Sequence, residues 1–363
     1  MKIKDIFNIK GGNSSLTSEF IYKNKPINKK DSIPVYSSST IKDTFMGNVS
    51  LTKLNELKIK VHNGKNSFIV ARNGKAGHIS KIPDKDFTVN DHVYIFQIKD
   101  EYVDKFDLNW LIYVLQPLFL KIASKNDNAT FSKELAENIE VEILDIINQR
   151  KIGSYYNSLI KLKDKIESDI EKIKNLISTK VILDNVEYVL VRDIFLLRKG
   201  ITINEIDLYR NKGDIPVYSS QTLKDGLFGK CSDDFYQKSR KKGHANELTW
   251  TTNGIAGKVF CRDTNFLFTE KCGHLRLKEE FKRDFNLQYI KVVLNQHTID
   301  YLTSKAANGK LEIQNMENVK IPIYNKKIQD KLANYWISLD NKQKSLESKL
   351  DKVNKILQTK LIL

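Results

Sequence analysis

Residues Gln149 to Leu183 read QRKIGSYYNSLIKLKDKIESDIEKIKNLISTKVIL. The stretch holds no proline, and its apolar residues Leu159, Leu162, Ile166, Ile170, Ile173 and Ile177 follow steps of three and four. That spacing gathers them on one face of a helix, while lysine, aspartate, glutamate and serine fill the other. At about 1.5 Å per residue the helix is roughly 50 Å long. A polar helix of that length needs a partner for its stripe, and the chain contains one. Gln329 to Leu363 reads QDKLANYWISLDNKQKSLESKLDKVNKILQTKLIL. In it Gln149, Lys151, Tyr155, Leu159, Glu167, Ser168, Lys172, Thr179 and Lys180 return as Gln329, Lys331, Tyr335, Leu339, Glu347, Ser348, Lys352, Thr359 and Lys360. The stripe returns as Leu346, Leu350, Val353 and Leu357. Shared letters at one register identify two copies of one helix, packed on each other through the stripe.

The repeat extends into the sequence before each helix. Ile3-Lys4-Asp5-Ile6-Phe7 returns as Val191-Arg192-Asp193-Ile194-Phe195, and Ile33-Pro34-Val35-Tyr36-Ser37-Ser38 as Ile215-Pro216-Val217-Tyr218-Ser219-Ser220. Asn73-Gly74-Lys75-Ala76-Gly77 returns as Asn253-Gly254-Ile255-Ala256-Gly257, and Phe87-Thr88 matches Phe268-Thr269. The plan is therefore a globular unit (1–146), a long helix (147–183), a second globular unit (184–324) and a second long helix (325–363). Within the units, Ser67–Ala71, His92–Ile98, Leu248–Thr252 and His274–Leu277 read as strands. Trp110–Leu120 and Leu287–Leu294 read as amphipathic helices, which makes each unit mixed α+β.

The chain has 363 residues, enough for two or three domains with real cores, and a net charge of +16. That charge favours a polyanion as partner, nucleic acid before membrane. Cys231, Cys261 and Cys272 are odd in number and form no CxxC. They fit a reduced, cytoplasmic compartment. The first residues lack an apolar signal region, and no run approaches the length of a membrane span. Cys231, His244, Cys261, Cys272 and His274 match no zinc spacing, so no metal is expected.

On these residues the chain resembles the specificity subunits of type I restriction–modification systems. The likeness is carried by Asp5-Ile6-Phe7 with Lys10-Gly11, by the IPVYSS strand and loop, by the NGxAG loop, and by the passages into the helices that hold Gln149 and Gln329. It implies two target-recognition domains of mixed α/β structure and two long helices forming an antiparallel coiled coil, related by a pseudo-two-fold repeat. It implies a protein without catalytic residues or cofactor. Such a subunit binds double-stranded DNA and places two methyltransferase subunits over adenines in the halves of a bipartite, asymmetric target, with room for a restriction or translocase subunit. The residues agree. No adenine-methylation loop, P-loop or nuclease cluster is present; Glu56-Leu57-Lys58 and Glu347-Ser348-Lys349 are stray triplets. The chain begins without the preceding helical segment that many such subunits carry, which leaves open the separate specificity subunit of a type IIB-like enzyme. A coiled-coil scaffold with protein partners is the alternative from another class.

DNA contacts call for basic or amide side chains on loops. The loop after each Tyr-Ser-Ser offers Ser38, Thr40 and Lys42, and Ser220, Gln221, Thr222 and Lys224. The glycine loop offers Arg72, Asn73 and Lys75, and Thr252, Asn253 and Lys258. Arg72 leads in the first unit because arginine pairs bidentately with guanine. Lys238, Arg240, Lys241 and Lys242 form a basic run that the first unit lacks, as expected where two half-sites differ. Asn128-Ala129-Thr130 and Asn308-Gly309-Lys310 read as turns. Tyr155, Tyr156, Tyr335 and Trp336 are large aromatics at the helix starts, where a methyltransferase partner would dock.

Overall fold

Short, mostly apolar runs of two to six residues become the strands of two similar units. A computed structural model describes residues 1–38, 44–124, 129–180, 186–220, 223–304 and 309–358. One unit comprises Met1–Asp164 with Val353–Leu363, the other Lys165–Lys352.

The first unit holds β1 (Phe7–Gly11), β2 (Ser32–Tyr36), β3 (Phe45–Ser50), β4 (His62–Asn63), β5 (Ser67–Ala71), β6 (Ile79–Lys81), β7 (Asp86–Val89) and β8 (Val93–Ile98). One sheet runs β1-β8-β5-β6 and is antiparallel throughout. The other runs β3-β2-β7-β4, with β2 and β7 parallel. Register pairs Phe7 with Ile98 and Phe68 with Phe96. Phe7, Phe68 and Phe96 thereby meet on one face, ring centroids 5.3–5.7 Å apart. Helix α1 (Leu108–Ile122) covers that face with Trp110, Leu111, Leu115 and Phe119, all buried, and is capped by Asp107, whose carboxylate accepts from the Trp110 N–H. The opposite face is aliphatic: Ile69, Val93 and Ile95 meet Ile82, Phe87 and Val89.

Helix α2 (Ile146–Ser178, 33 residues) leaves this unit. The second unit then repeats the plan with β9 (Glu187–Leu190), β10 (Phe195–Lys199), β11 (Ile215–Tyr218), β12 (Leu227–Cys231), β13 (Glu247–Thr251), β14 (Val259–Arg262), β15 (Leu267–Phe268) and β16 (Cys272–Leu277). Helix α3 (Leu287–His297), β17 (Lys320–Ile323) and helix α4 (Lys326–Gln358, 33 residues) complete it. Its sheets run β10-β16-β13-β14 and β12-β11-β15, and β17 pairs with β9. β11 places Leu267 opposite Val217, as β2 places Thr88 opposite Val35. Phe87 therefore corresponds to Phe266, two residues before the Phe268 that matching letters select. A two-residue slip along a strand keeps the same face, so the letters alone do not reveal it.

A single buried glutamine fastens the start of each long helix. Gln149 accepts from the Asp107 N–H (2.9 Å) and donates to the Lys105 and Leu144 carbonyls (3.2 and 2.8 Å). Gln329 does the same with the Asn286 N–H (2.9 Å) and the Asp284 and Tyr324 carbonyls (2.9 and 2.8 Å). Further along α2, Leu159, Ile166, Ile170 and Ile173 are buried as the stripe requires. Leu162 is 45% exposed and leaves the stripe. In the second unit Ile173 and Ile177, near the end of α2, share a core with Ala333, Trp336 and Leu339, near the start of α4. End beside beginning is the antiparallel sense.

Candidate nucleic-acid interface

In the first unit the two expected contact loops share one edge. After β5 the chain turns through Arg72–Gly77 into β6. Gly74 and Gly77 take φ of 69° and 80°, a region that only glycine enters freely. A Cβ on Gly77 would also stand 2.7 Å from the Phe119 carbonyl oxygen, so these glycines answer to the fold. The Arg72 N–H donates to His92 O (2.8 Å) and the Asn90 N–H to Tyr36 O (3.1 Å). These bonds tie the glycine loop, the start of β8 and the end of β2 together. Asn73 Nδ2 lies 3.1 Å from His92 Nδ1, and Asn73 bridges Thr130. Arg72 is exposed, its guanidinium 5.7 Å from the Tyr94 ring centroid. Ser38 and Lys75 line a crevice of about 130 Å³ with Ser37, Thr44 and His78. Burial, then the charges of Lys75 and Lys163, hold the His78 imidazole below its usual range. Thr40, Lys42 and Asn128 lie outside the described residues.

The second unit uses the same bonds. The Thr252 N–H donates to Lys271 O (3.1 Å) and the Thr269 N–H to Tyr218 O (2.9 Å). Gly254 and Gly257 have φ of 71° and 86°. A Cβ on Gly254 would lie 3.8 Å from the Ser220 carbonyl oxygen, so the two loops adjoin here as well. Thr252 itself is buried, and its hydroxyl donates to Lys271 O at 2.8 Å. It belongs to the fold, and Asn253 is the loop's polar side chain nearer to solvent. Lys258 is exposed on the rim of a groove of about 980 Å³ that also takes in Lys174, Lys291 and Trp336. Lys224 falls in the one-turn helix Leu223–Gly226, whereas Gln221, Thr222 and Asn308 lie outside the described residues.

Lysines of the basic run largely brace their own turn. Lys238 pairs with Asp234 at 2.7 Å. Lys241 donates to Lys199 O and Lys242 to Gln237 O, both at 3.0 Å, and Lys242 sits 5.2 Å over the Tyr236 ring. Arg240 is exposed.

Sequence reasoning missed two duplicated features. His92 and Lys271 are both exposed, at equivalent points beside the glycine loops. Tyr22 and Tyr209 are each 72% exposed, with Lys25 and Lys212 ammonium groups each 4.5 Å from the ring centroid. The signal was present: Ile21-Tyr22-Lys23-Asn24-Lys25 repeats as Leu208-Tyr209-Arg210-Asn211-Lys212.

The family model for the type I restriction modification DNA specificity domain matches residues 1–175 and again residues 184–355. The chain belongs to this family. Its two specificity domains are the two copies that the repeat marks out, and the family is a non-catalytic one. Two putative type I specificity subunits of Mycoplasma pneumoniae are 32% identical over 152 residues and 31% over 144. These matches cover 41% and 39% of this chain and 46% and 56% of those proteins. The chain thus spans about half the length of the curated relatives it matches. A type I restriction–modification S subunit from M. genitalium superposes with a TM-score of 0.65 at 15% identity, covering 98% of this chain and 93% of that one. A chain from a structure on assembly and conformational transition of the type I R-M system gives 0.52 at 10%, covering 99% and 95%. At these identities the likeness is one of fold.

On the specificity-domain helices the four expected partner-binding aromatics divide in two. Tyr155 and Tyr335 are 48% and 49% exposed. Tyr156 packs against Tyr113 (5.2 Å), and Trp336 is buried against Tyr289 (6.2 Å). Tyr156 and Trp336 thus anchor the helices to their own units. Among the described residues no three His, Cys, Asp or Glu gather as a metal site. Burial pushes the Cys231 and Cys261 thiols up to about 11 and that of Cys272 to about 12, as for cysteines that serve as core. No described helix is long and apolar enough to cross a membrane.

Proposed function

We propose that this chain is the DNA-specificity subunit of a type I restriction–modification complex. In this reading each unit reads one half of a bipartite, asymmetric target and presents it to a methyltransferase subunit held by the long helices. One observation carries the reading. Both copies bring their Tyr-Ser-Ser loop and their glycine loop to one edge, tied by the same backbone bonds, yet around the shared Asn73 and Asn253 the side chains differ: Arg72, Lys75 and His78 against Thr252, Ile255 and Lys258. A shared frame with divergent polar tips suits recognition of two different base sequences. Phosphate attraction comes from the +16 charge, and base reading from amide and guanidinium groups that match base edges in the major groove.

Lys and Arg contacts to phosphate release counterions, so binding to duplex DNA should fall steeply between about 50 and 200 mM salt, with a log–log slope near −0.9 per contact. Fluorescence anisotropy with the full chain measures it. A flat response would remove nucleic acid as the partner.

A further inference from the structure

The two units differ where their sheets meet. In the first unit that interior is Ile69, Ile82, Phe87, Val89, Val93 and Ile95, with Tyr36 against it. Strand registers map these positions onto Thr249, Arg262, Phe266, Phe268, Cys272 and His274, with Tyr218 in place of Tyr36. Isoleucine has become threonine, arginine and histidine, and each of the three is buried. Arg262 is 3% exposed. Burying a guanidinium is unfavourable unless its donors are satisfied; Nη2 of Arg262 is buried without a hydrogen-bond partner, and the contacts of Nε, Nη1 and the guanidinium face show what it gains. Its Nε donates to Thr249 Oγ1 at 2.9 Å, the threonine that arrived with it. Its Nη1 donates to the Asp225 carbonyl oxygen at 2.8 Å. Its guanidinium carbon lies 3.4 Å from the centroid of the Tyr218 ring.

Tyr218 and Asp225 are the two shoulders of the Tyr-Ser-Ser loop. Ser219 N–H closes the loop onto Gly226 O at 2.9 Å. Asp225 holds φ of 55° and Gly226 of 84°, a left-handed pair that an L residue resists. Arg262 takes hold of one shoulder by its ring face and of the other by the carbonyl of its strained residue. Ile82, at the same place in the first unit, has no hydrogen-bond donor in its side chain with which to do either.

We propose that Arg262 is a specificity-positioning residue of the second unit: from inside the protein it fixes Tyr218 and the Asp225–Gly226 turn, and with them the edge that presents Ser219, Ser220 and Asn253, and so decides which bases that edge accepts. It touches no DNA. The inference rests on the DNA-reading function proposed above and adds that the two half-sites are read by loops held in different ways. Unit two uses a buried polar strut, and unit one an interior whose buried residues are all apolar.

Residues from the first unit make the test. Thr249→Ile with Arg262→Ile puts back two of the three isoleucines that pack there in the first unit, and Arg262→Lys keeps the charge but loses the fork that reaches Thr249 and Asp225 together. Full-length parent and variants are used to select from a duplex library randomised over both half-sites. Thermal melting is followed alongside. The parent should select two half-sites. The double variant should keep the first unit's half-site and lose tenfold or more of its discrimination at the second, and Arg262→Lys should lose an intermediate amount. Unchanged discrimination at the second half-site in either folded variant overturns the proposal, as does an equal loss at both. If the double variant melts early, Arg262→Lys decides by the same two criteria. A parent that selects no sequence overturns the DNA-reading function itself and this inference with it, an outcome distinct from a selective parent with equally selective variants.

Discussion

Gln149 and Gln329 each satisfy one backbone donor and two backbone acceptors with a single amide, at 0% and 1% exposure. An amide suits the task because it carries both functions in one plane. The donor it accepts from is the N–H of the helix-capping residue itself, Asp107 in one unit and Asn286 in the other. One side chain thereby fixes the angle between a long helix and the unit that precedes it. Gly153, one turn on, lies so close that a Cβ would stand 2.7 Å from the Trp110 nitrogen. Gln149→Ala leaves three part-buried polar groups without their partner, each worth about 1–3 kcal/mol when fully buried and unsatisfied, with water recovering a part. A loss of about 1–2 kcal/mol in the first unit follows. Hydrogen exchange on the full chain should show amides around Asp107 and Gln149 losing protection, while those around Asn286 and Gln329 keep theirs. Protection unchanged at Asp107 would show that the clamp is dispensable.

Helices were more legible in the sequence than the surfaces they present. Period-3.6 spacing located both long helices and the buried positions Leu159, Ile166, Ile170 and Ile173. It misplaced Leu162, because spacing assigns a face and not the distance to the element that covers it. The four strands the pattern marked were found within two residues of their ends, as at Ser67–Ala71, whereas the equally apolar Val259–Arg262 was not marked. The loops were harder. Thr252 and Lys242 have the chemistry of DNA contacts but are held by Lys271 O and Gln237 O, and such partners are set by tertiary approach. Trp336 and Tyr156 illustrate the same limit, since adjacent aromatics on a helix point in different directions. Their neighbours Tyr335 and Tyr155, at equivalent points and about half exposed, are the better candidates for a partner surface, because exposed aromatics in pairs suit interface cores. Tyr155→Ser with Tyr335→Ser should leave folding intact and weaken capture of the methyltransferase subunit by tenfold or more in co-purification. Full capture by the folded double variant would place the partner elsewhere.

At the scale of the whole chain, the duplication carries a consequence for assembly. Val353, at 6% exposure, is the counterpart of Ile173 at 5%, and Val353–Leu363 belongs with the first unit. Residues 1–183 alone would lack that closing segment and would leave Ile166, Ile170 and Ile173 in water. Fully burying one such side chain is worth about 1.5–3 kcal/mol. The fragment carries its own substitute. Its residues 173–178 repeat residues 353–358, so the end of α2 from a second copy can take the place left by the end of α4. The reverse contact is then made at the same time, which is the condition for an isologous dimer. Residues 1–183 should therefore form a homodimer, with light scattering reporting twice the fragment mass. If the first unit reads its half-site unaided, the dimer joined to its methyltransferase should mark that half-site twice, as an interrupted palindrome. Methylation sequencing distinguishes this from the asymmetric site of the full chain. A folded monomer would show that the two helices are not interchangeable. A dimer still marking the asymmetric site would show that one unit does not read one half.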